Sequence, residues 1–154
     1  MAVTRSDSHP ELLWVLNTLM DIKASADETG ETLTVIEQLV SPAGNTPLHV
    51  HRDEDESFVV LEGELEVTLG DRRVRVGPGQ FVFGPRGVAH GFQVLSPQAR
   101  LLVLATPGGL ERFFRAVGRP AASDTLPEPQ APDVDQLVPV AAAHGITVLP
   151  PPSL

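Results

Sequence analysis

The sequence contains no cysteine. Without thiols, neither a disulfide framework nor a thiolate metal site can form, and any metal must rest on nitrogen and oxygen donors. Basic residues are also scarce: 11 Lys and Arg stand against 20 Asp and Glu, a formal charge of −9 at pH 7. That excess repels phosphate backbones and anionic lipid surfaces, so neither a nucleic acid nor a membrane is expected as a partner. No run approaches the roughly 20 apolar residues of a membrane span. The polar stretch Met1 to Pro10 has no apolar core of signal-peptide type, which makes a cytoplasmic location the expectation.

What is present suits one globular domain. With 154 residues, 42% of them hydrophobic and 20% charged, the chain is long enough to bury a core without staples. Fifteen Pro and thirteen Gly predict many turns. Short β-branched or alternating runs predict strands over Leu12–Leu16, Leu19–Ala24, Thr32–Val40, Leu48–His51, Glu56–Leu61, Glu64–Leu69, Arg72–Val76, Gln80–Phe83, Val88–Leu95 and Arg100–Ala105. Turn clusters separate them at Asp27 to Gly30, Pro42 to Asn45, Gly70-Asp71, Gly77 to Gly79 and Gly84 to Gly87. This is the pattern of an all-β barrel or sandwich.

Further on the period changes. Leu110, Phe113, Phe114 and Val117 recur as on the buried face of a short helix, which Gly118 and Pro120 end. Such a helix would either cover the barrel or pack on its outside. Residues 121–132 read as an extended Pro-rich linker, and Asp133–His144 as a second helix closed by Gly145, with Pro139 as an internal objection. The expected layout is a flexible N-terminus over 1–11, a barrel with its helix over 12–118, and a Pro-rich extension with a helix over 119–154.

Chemistry concentrates in the middle of the chain. His49 and His51 are one residue apart, so a strand sends both imidazoles to the same face. After Arg52 to Asp55 the chain re-enters a strand at Glu56, which shares a face with Phe58 and Val60. A carboxylate on an apolar face needs a partner, and a cation beside two imidazoles would supply it. His90, following the rigid turn Gly84 to Gly87, is the fourth candidate. Three imidazoles and a carboxylate suit one divalent first-row transition metal, Fe, Mn, Co, Ni, Cu or Zn, better than Ca or Mg.

These residues resemble the two motifs of the cupin superfamily. His49-Val50-His51, four residues, Glu56, six residues and Gly63 fit the first; Gly79, five residues, Pro85-Arg86-Gly87, two residues and His90 fit the second. Two positions depart: Gly44 stands four residues before His49 instead of five, and Val94 takes the place of the final Asn. The resemblance implies an all-β double-stranded β-helix, or jelly-roll, barrel with His49, His51, Glu56 and His90 as metal ligands. It selects Glu56, at the family's distance from Gly63, over the fallback Glu54. It also implies a homodimer, packed through N-terminal strands that Leu12 to Ala24 would supply.

Under strict alternation Phe58, Val60 and Phe92 fall on the ligand face and are the candidate substrate pocket, with Leu65, Val67 and Val94 on the same parity. An apolar pocket favours a small oxygen-reactive molecule such as a flavonol, enediol or diketone. The wider chain resembles single-domain actinobacterial cupins of the quercetin-dioxygenase-like kind, which implies an oxidoreductase in which Glu56 also accepts the substrate proton. A non-oxidative isomerase or cyclase, or a non-catalytic small-ligand binder, would use the same ligands. Arg86 reads as a solvated turn residue that could also face a substrate anion, His9 and His144 as surface residues, and Trp14 as an interface or core anchor.

Overall fold

Alternation along the strands builds two antiparallel sheets packed face to face in a computed structural model, which describes residues 10–150. In chain order the elements are β1 (Leu12–Val15), β2 (Thr18–Ala24), the one-turn helix α1 (Ala26–Thr29), β3 (Thr34–Val40), a 3₁₀ turn (Pro42–Gly44), β4 (Thr46–His51) and β5 (Asp55–Glu62). There follow β6 (Leu65–Leu69), β7 (Arg72–Val76), β8 (Phe81–Gly84), β9 (His90–Val94), β10 (Ala99–Thr106), α2 (Leu110–Val117), β11 (Arg119–Pro120), α3 (Val134–Ala143) and β12 (Ile146–Val148).

One sheet runs β11-β1-β2-β3-β10-β5-β8 and the other β12-β4-β9-β6-β7. β3 buries Thr34, Ile36, Gln38 and Val40, and β10 buries Ala99, Leu101, Val103 and Ala105. β5 buries Glu56, Phe58 and Val60. These period-two rows fill the space between the sheets. The result is the expected all-β jelly-roll barrel with short C-terminal helices.

Several element ends differ from the sequence reading for local reasons. The cluster Asp27 to Gly30 is not a simple turn: Ser25 and Glu28 form a reciprocal capping box that nucleates α1. Gly30 and Glu31 then hold φ of 61° and 63°, so β3 begins at Thr34 and not at Thr32. α3 continues through Pro139, because Asp133 caps its start at Gln136 and its Leu137, Val140 and Ala141 pack on the core. The expected flexible N-terminus lies outside the described residues apart from Pro10 and Glu11.

Residues 119–150 join both sheets. Pro120 pairs with Leu13 on the outer edge of β1, and β12 pairs with β4, setting Ile146 opposite His51 and Val148 opposite His49. Between them the linker is fastened to the barrel. The Trp14 indole donates to the Thr125 carbonyl at 2.8 Å under the Arg119 guanidinium, and Asn17 exchanges two hydrogen bonds with the Gln130 backbone. No described helix is long and apolar enough to cross a membrane.

A buried acid ties the helices to the sheet. Glu111, fully inaccessible to solvent, accepts from the Ala26 backbone N–H at 2.8 Å and from the Thr34 hydroxyl. Thr34 in turn accepts from the Gly109 N–H at 2.9 Å.

Candidate metal centre

β4 and β9 lie side by side with His49 opposite His90, while β5 crosses the gap from the facing sheet and presents Glu56. The two imidazoles of β4 point inward together because they are two residues apart. Gly84, paired with Glu56, makes the approach feasible: a Cβ there would lie 2.8 Å from the Glu56 carbonyl oxygen and 3.3 Å from His90 Nδ1. The motif glycine Gly63 has a different task, holding φ of 85° where a Cβ would meet the Gln98 carbonyl at 2.4 Å.

His49, His51, Glu56 and His90 each offer one ligand atom, and these atoms all lie within 4.8 Å of one another. Glu56 Oε2 is 2.7 Å from His51 Nε2, 2.8 Å from His90 Nε2 and 3.7 Å from His49 Nε2. The opposite nitrogen of each ring faces an acceptor. His49 Nδ1 lies 2.9 Å from the Pro47 carbonyl, His51 Nδ1 2.8 Å from Glu54 Oε1, and His90 Nδ1 3.3 Å from the Val88 carbonyl.

A neutral imidazole has one N–H. If Nδ1 donates outward in all three rings, three Nε2 lone pairs are left against a carboxylate oxygen, an arrangement that needs positive charge at its centre. A divalent ion meets that need, and outward Nδ1–H donation is the arrangement that orients metal-bound histidines. The donor set therefore fits a metal ion, with nitrogen-rich character favouring a first-row transition metal.

Without such an ion, protons take its place. Burial opposes charge on His51, but hydrogen bonds to Glu54 and Glu56 outweigh it and raise its pKa to about 9. Burial likewise opposes charge on Glu56, yet contacts with His49, His51 and His90 hold it well below the ordinary carboxylate range.

The four residues form one wall of a cavity of about 170 Å³. Phe58 and Phe92 line it edge to face, with ring centroids 6.1 Å apart. Val60, expected beside them, is fully buried and lies outside the lining, in the core with Leu65 and Val67. Leu110, Phe113 and Phe114 of α2 line another side, and Leu137 of α3 adds to it. Sequence reasoning did not place the extension here, because its contribution depends on long-range pairing of β12 with β4.

The remaining candidates fall elsewhere. Glu54 does not join the four donors but bonds the back of His51. Arg86 is an exposed turn residue outside the cavity lining, held by Asp55 through Nε and Nη2 at 3.2 Å each. His144 is half-buried instead of superficial: its Nδ1 lies 2.9 Å from the Val140 carbonyl and its ring packs on Phe113. Where the motif would have Asn, the backbone N–H of Val94 donates to the Asn45 side chain at 2.8 Å. His9 lies outside the described residues.

A two-sheet β-barrel whose inner wall gathers three imidazoles and a carboxylate defines the class: a barrel protein with a site that could hold a metal ion. Residues 36–106, just under half of the chain, match the family described as Cupin domain. It is 28% identical over 99 residues to quercetin 2,3-dioxygenase of Bacillus subtilis strain 168, covering 64% of this chain and 29% of that protein. It is 35% identical over 65 residues to an uncharacterized protein of Streptomyces coelicolor, covering 42% of this chain and 62% of that one. The chain thus spans less than two thirds of either relative. An RmlC-like cupin from Shewanella frigidimarina shares the fold, with a TM-score of 0.63 at 16% identity over 73% of this chain and 96% of that one.

Proposed function

We propose that this cupin is a metal-dependent dioxygenase acting on a small oxygen-reactive molecule of flavonol, enediol or diketone type. The supporting observation is the convergence of three Nε2 atoms and Glu56 Oε2 on the wall of an apolar cavity. The similarity to quercetin 2,3-dioxygenase adds weight, although it covers 29% of that enzyme.

His49, His51, Glu56 and His90 would hold the ion, and a bound first-row metal would supply Lewis-acid polarisation of an enol or ketone oxygen and, if redox-active, electron exchange with O₂. The chain's own residues supply the setting. Phe58, Phe92 and Phe113 exclude water and seat an apolar body. Glu56, the one carboxylate among the four donors, is assigned as acceptor of the substrate's enol proton.

The test compares wild type with His51→Ala, purified without a metal-affinity tag, for bound metal and for oxygen uptake with flavonols and diketones. Stoichiometric metal in wild type, lost in the variant, together with substrate-dependent oxygen uptake supports the proposal. Substrate turnover without oxygen uptake assigns a non-oxidative isomerase or cyclase instead. Metal binding with no turnover assigns a small-ligand binder.

A further inference from the structure

Most polar side chains around the cavity are committed to the protein. Asn17 is bonded to Ala43 and Gln130, Asn45 to Val94, and the three imidazoles to their outward acceptors. Gln38 is different. It lines the cavity with 6% of its surface exposed, and its sole side-chain hydrogen bond among the described residues runs from Nε2 to Met20 Sδ at 3.9 Å, a weak acceptor. Among the described residues the amide oxygen has no hydrogen bond, and it is not one of the fully buried unpartnered atoms, so it opens onto the cavity. Diagonally across the β2–β3 pairing, Thr18, 5% exposed, lines the same cavity, and its hydroxyl has no side-chain hydrogen bond among the described residues.

A polar amide kept on the wall of a mostly apolar cavity, open to it and bonded to the protein only through a sulfur, points to a ligand group that completes it. Register shows where along the ligand. Glu56 is opposite Ala105, which is opposite Thr34, and Gln38 lies four residues beyond Thr34 on β3. That places it about 13 Å along the strands from the row carrying Glu56, with apolar lining such as Val103 and Phe58 between.

We infer that Gln38, assisted by Thr18, is a specificity-determining residue that hydrogen-bonds a hydroxyl or carbonyl at the far end of the substrate from its metal-binding head. The inference rests on the proposed function for the head group. It adds the shape of the molecule: an oxygen-rich chelating end, an aromatic or apolar body, and one polar group at the opposite end.

The test uses a matched pair, 1-phenyl-1,3-butanedione and 1-(4-hydroxyphenyl)-1,3-butanedione, titrated anaerobically into nickel-loaded wild type and Gln38→Leu and followed by enolate absorbance. Wild type is expected to prefer the hydroxylated compound by about 3- to 10-fold, the worth of one hydrogen bond. Gln38→Leu is expected to bind both equally, and the parent compound at least as tightly as wild type does. Equal affinities in wild type, or a preference that survives in Gln38→Leu, overturn the inference while leaving the metal-binding reading intact.

Melting of the metal-free proteins provides a ligand-independent measurement. A nearly buried amide whose hydrogen bond is to a sulfur predicts that Gln38→Leu melts about 3 °C or more above wild type; a lower melting temperature means the amide serves packing and overturns the inference. If neither diketone binds wild type, the proposed substrate class fails, and the melting result alone decides for or against Gln38.

Discussion

Glu54 Oε1 lies 2.8 Å from His51 Nδ1, on the side of the ring opposite the 2.7 Å approach of His51 Nε2 to Glu56. Glu54 thereby fixes both the tautomer and the tilt of an imidazole that is 3% exposed. Glu54→Ala is expected to weaken metal affinity by about 10- to 100-fold without removing a ligand, as measured by competition with a colorimetric chelator. An unchanged affinity would show that packing alone orients His51.

The same pair sets a pH dependence. In metal-free protein the pKa of His51 is raised from 6.5 to about 9, so its contribution to stability is complete below pH 6.5 and is lost as pH rises through 9. Glu56 is shifted the other way, so its contribution is present above its ordinary value of 4.5 and is lost as pH falls through its depressed pKa. Metal must displace the His51 proton, so the stabilisation gained on adding metal should grow between pH 6.5 and 9 while the metal-free protein weakens. Melting curves with and without chelator across this range check it; a metal-induced gain that is flat with pH would contradict the shift.

Gly84 tests whether close backbone approach is a requirement of the site. Its φ is not in the left-handed region, so Gly84→Ala meets only the crowding of a Cβ against the Glu56 carbonyl at 2.8 Å and the His90 ring at 3.3 Å. Overpacking of this kind costs about 1–3 kcal/mol. Because the displaced atoms belong to two ligands, metal affinity should fall together with stability. Isothermal titration with Zn or Ni measures the first and urea unfolding the second.

These residues also show how far the sequence could be read. His49, His51, Phe58 and the turn before His90 follow from period-two alternation and glycine-proline chemistry, which are local. That β9 lies against β4, 41 residues away between His49 and His90, was visible through motif resemblance and not through any local pattern. Val60 has the parity of the pocket but sits deeper than its floor, because alternation assigns a face and not a depth. β12 is three residues long and gains its identity from β4. Glu111 stands off the stripe of Leu110, Phe113, Phe114 and Val117, so the helical period did not single it out, yet tertiary packing buries it completely.

Glu111 is therefore predicted to matter for stability and not for metal. Glu111→Ala strands the Ala26 N–H and the Thr34 hydroxyl in a region without solvent. Loss of both hydrogen bonds, with both donors left unsatisfied, is expected to cost about 2–4 kcal/mol. Urea unfolding measures this, and metal stoichiometry at low denaturant should stay at the wild-type value. A cost below about 0.5 kcal/mol, the range of an ordinary surface change, would show that solvent replaces the lost acceptor.

The outer edge of β1 is occupied, with Pro120 paired to Leu13 and the linker bonded to Trp14, so a homodimer through Leu12 to Ala24 would have to use a face of these strands and not that edge. The opposite edge of the same sheet is β8, where Phe81 and Phe83 are 60% and 50% exposed beside Val59 and Ser57 of β5. An edge strand with unpaired backbone groups and two large aromatic side chains can pair with its own copy across a two-fold axis, since each copy then offers the same strand in antiparallel register. Sedimentation velocity should show a dimer for wild type and a monomer for the double variant Phe81→Ser, Phe83→Ser, with metal content unchanged because neither residue lines the cavity. A wild-type protein that stays monomeric at tens of micromolar removes this interface, and a double variant that remains dimeric moves it to another face.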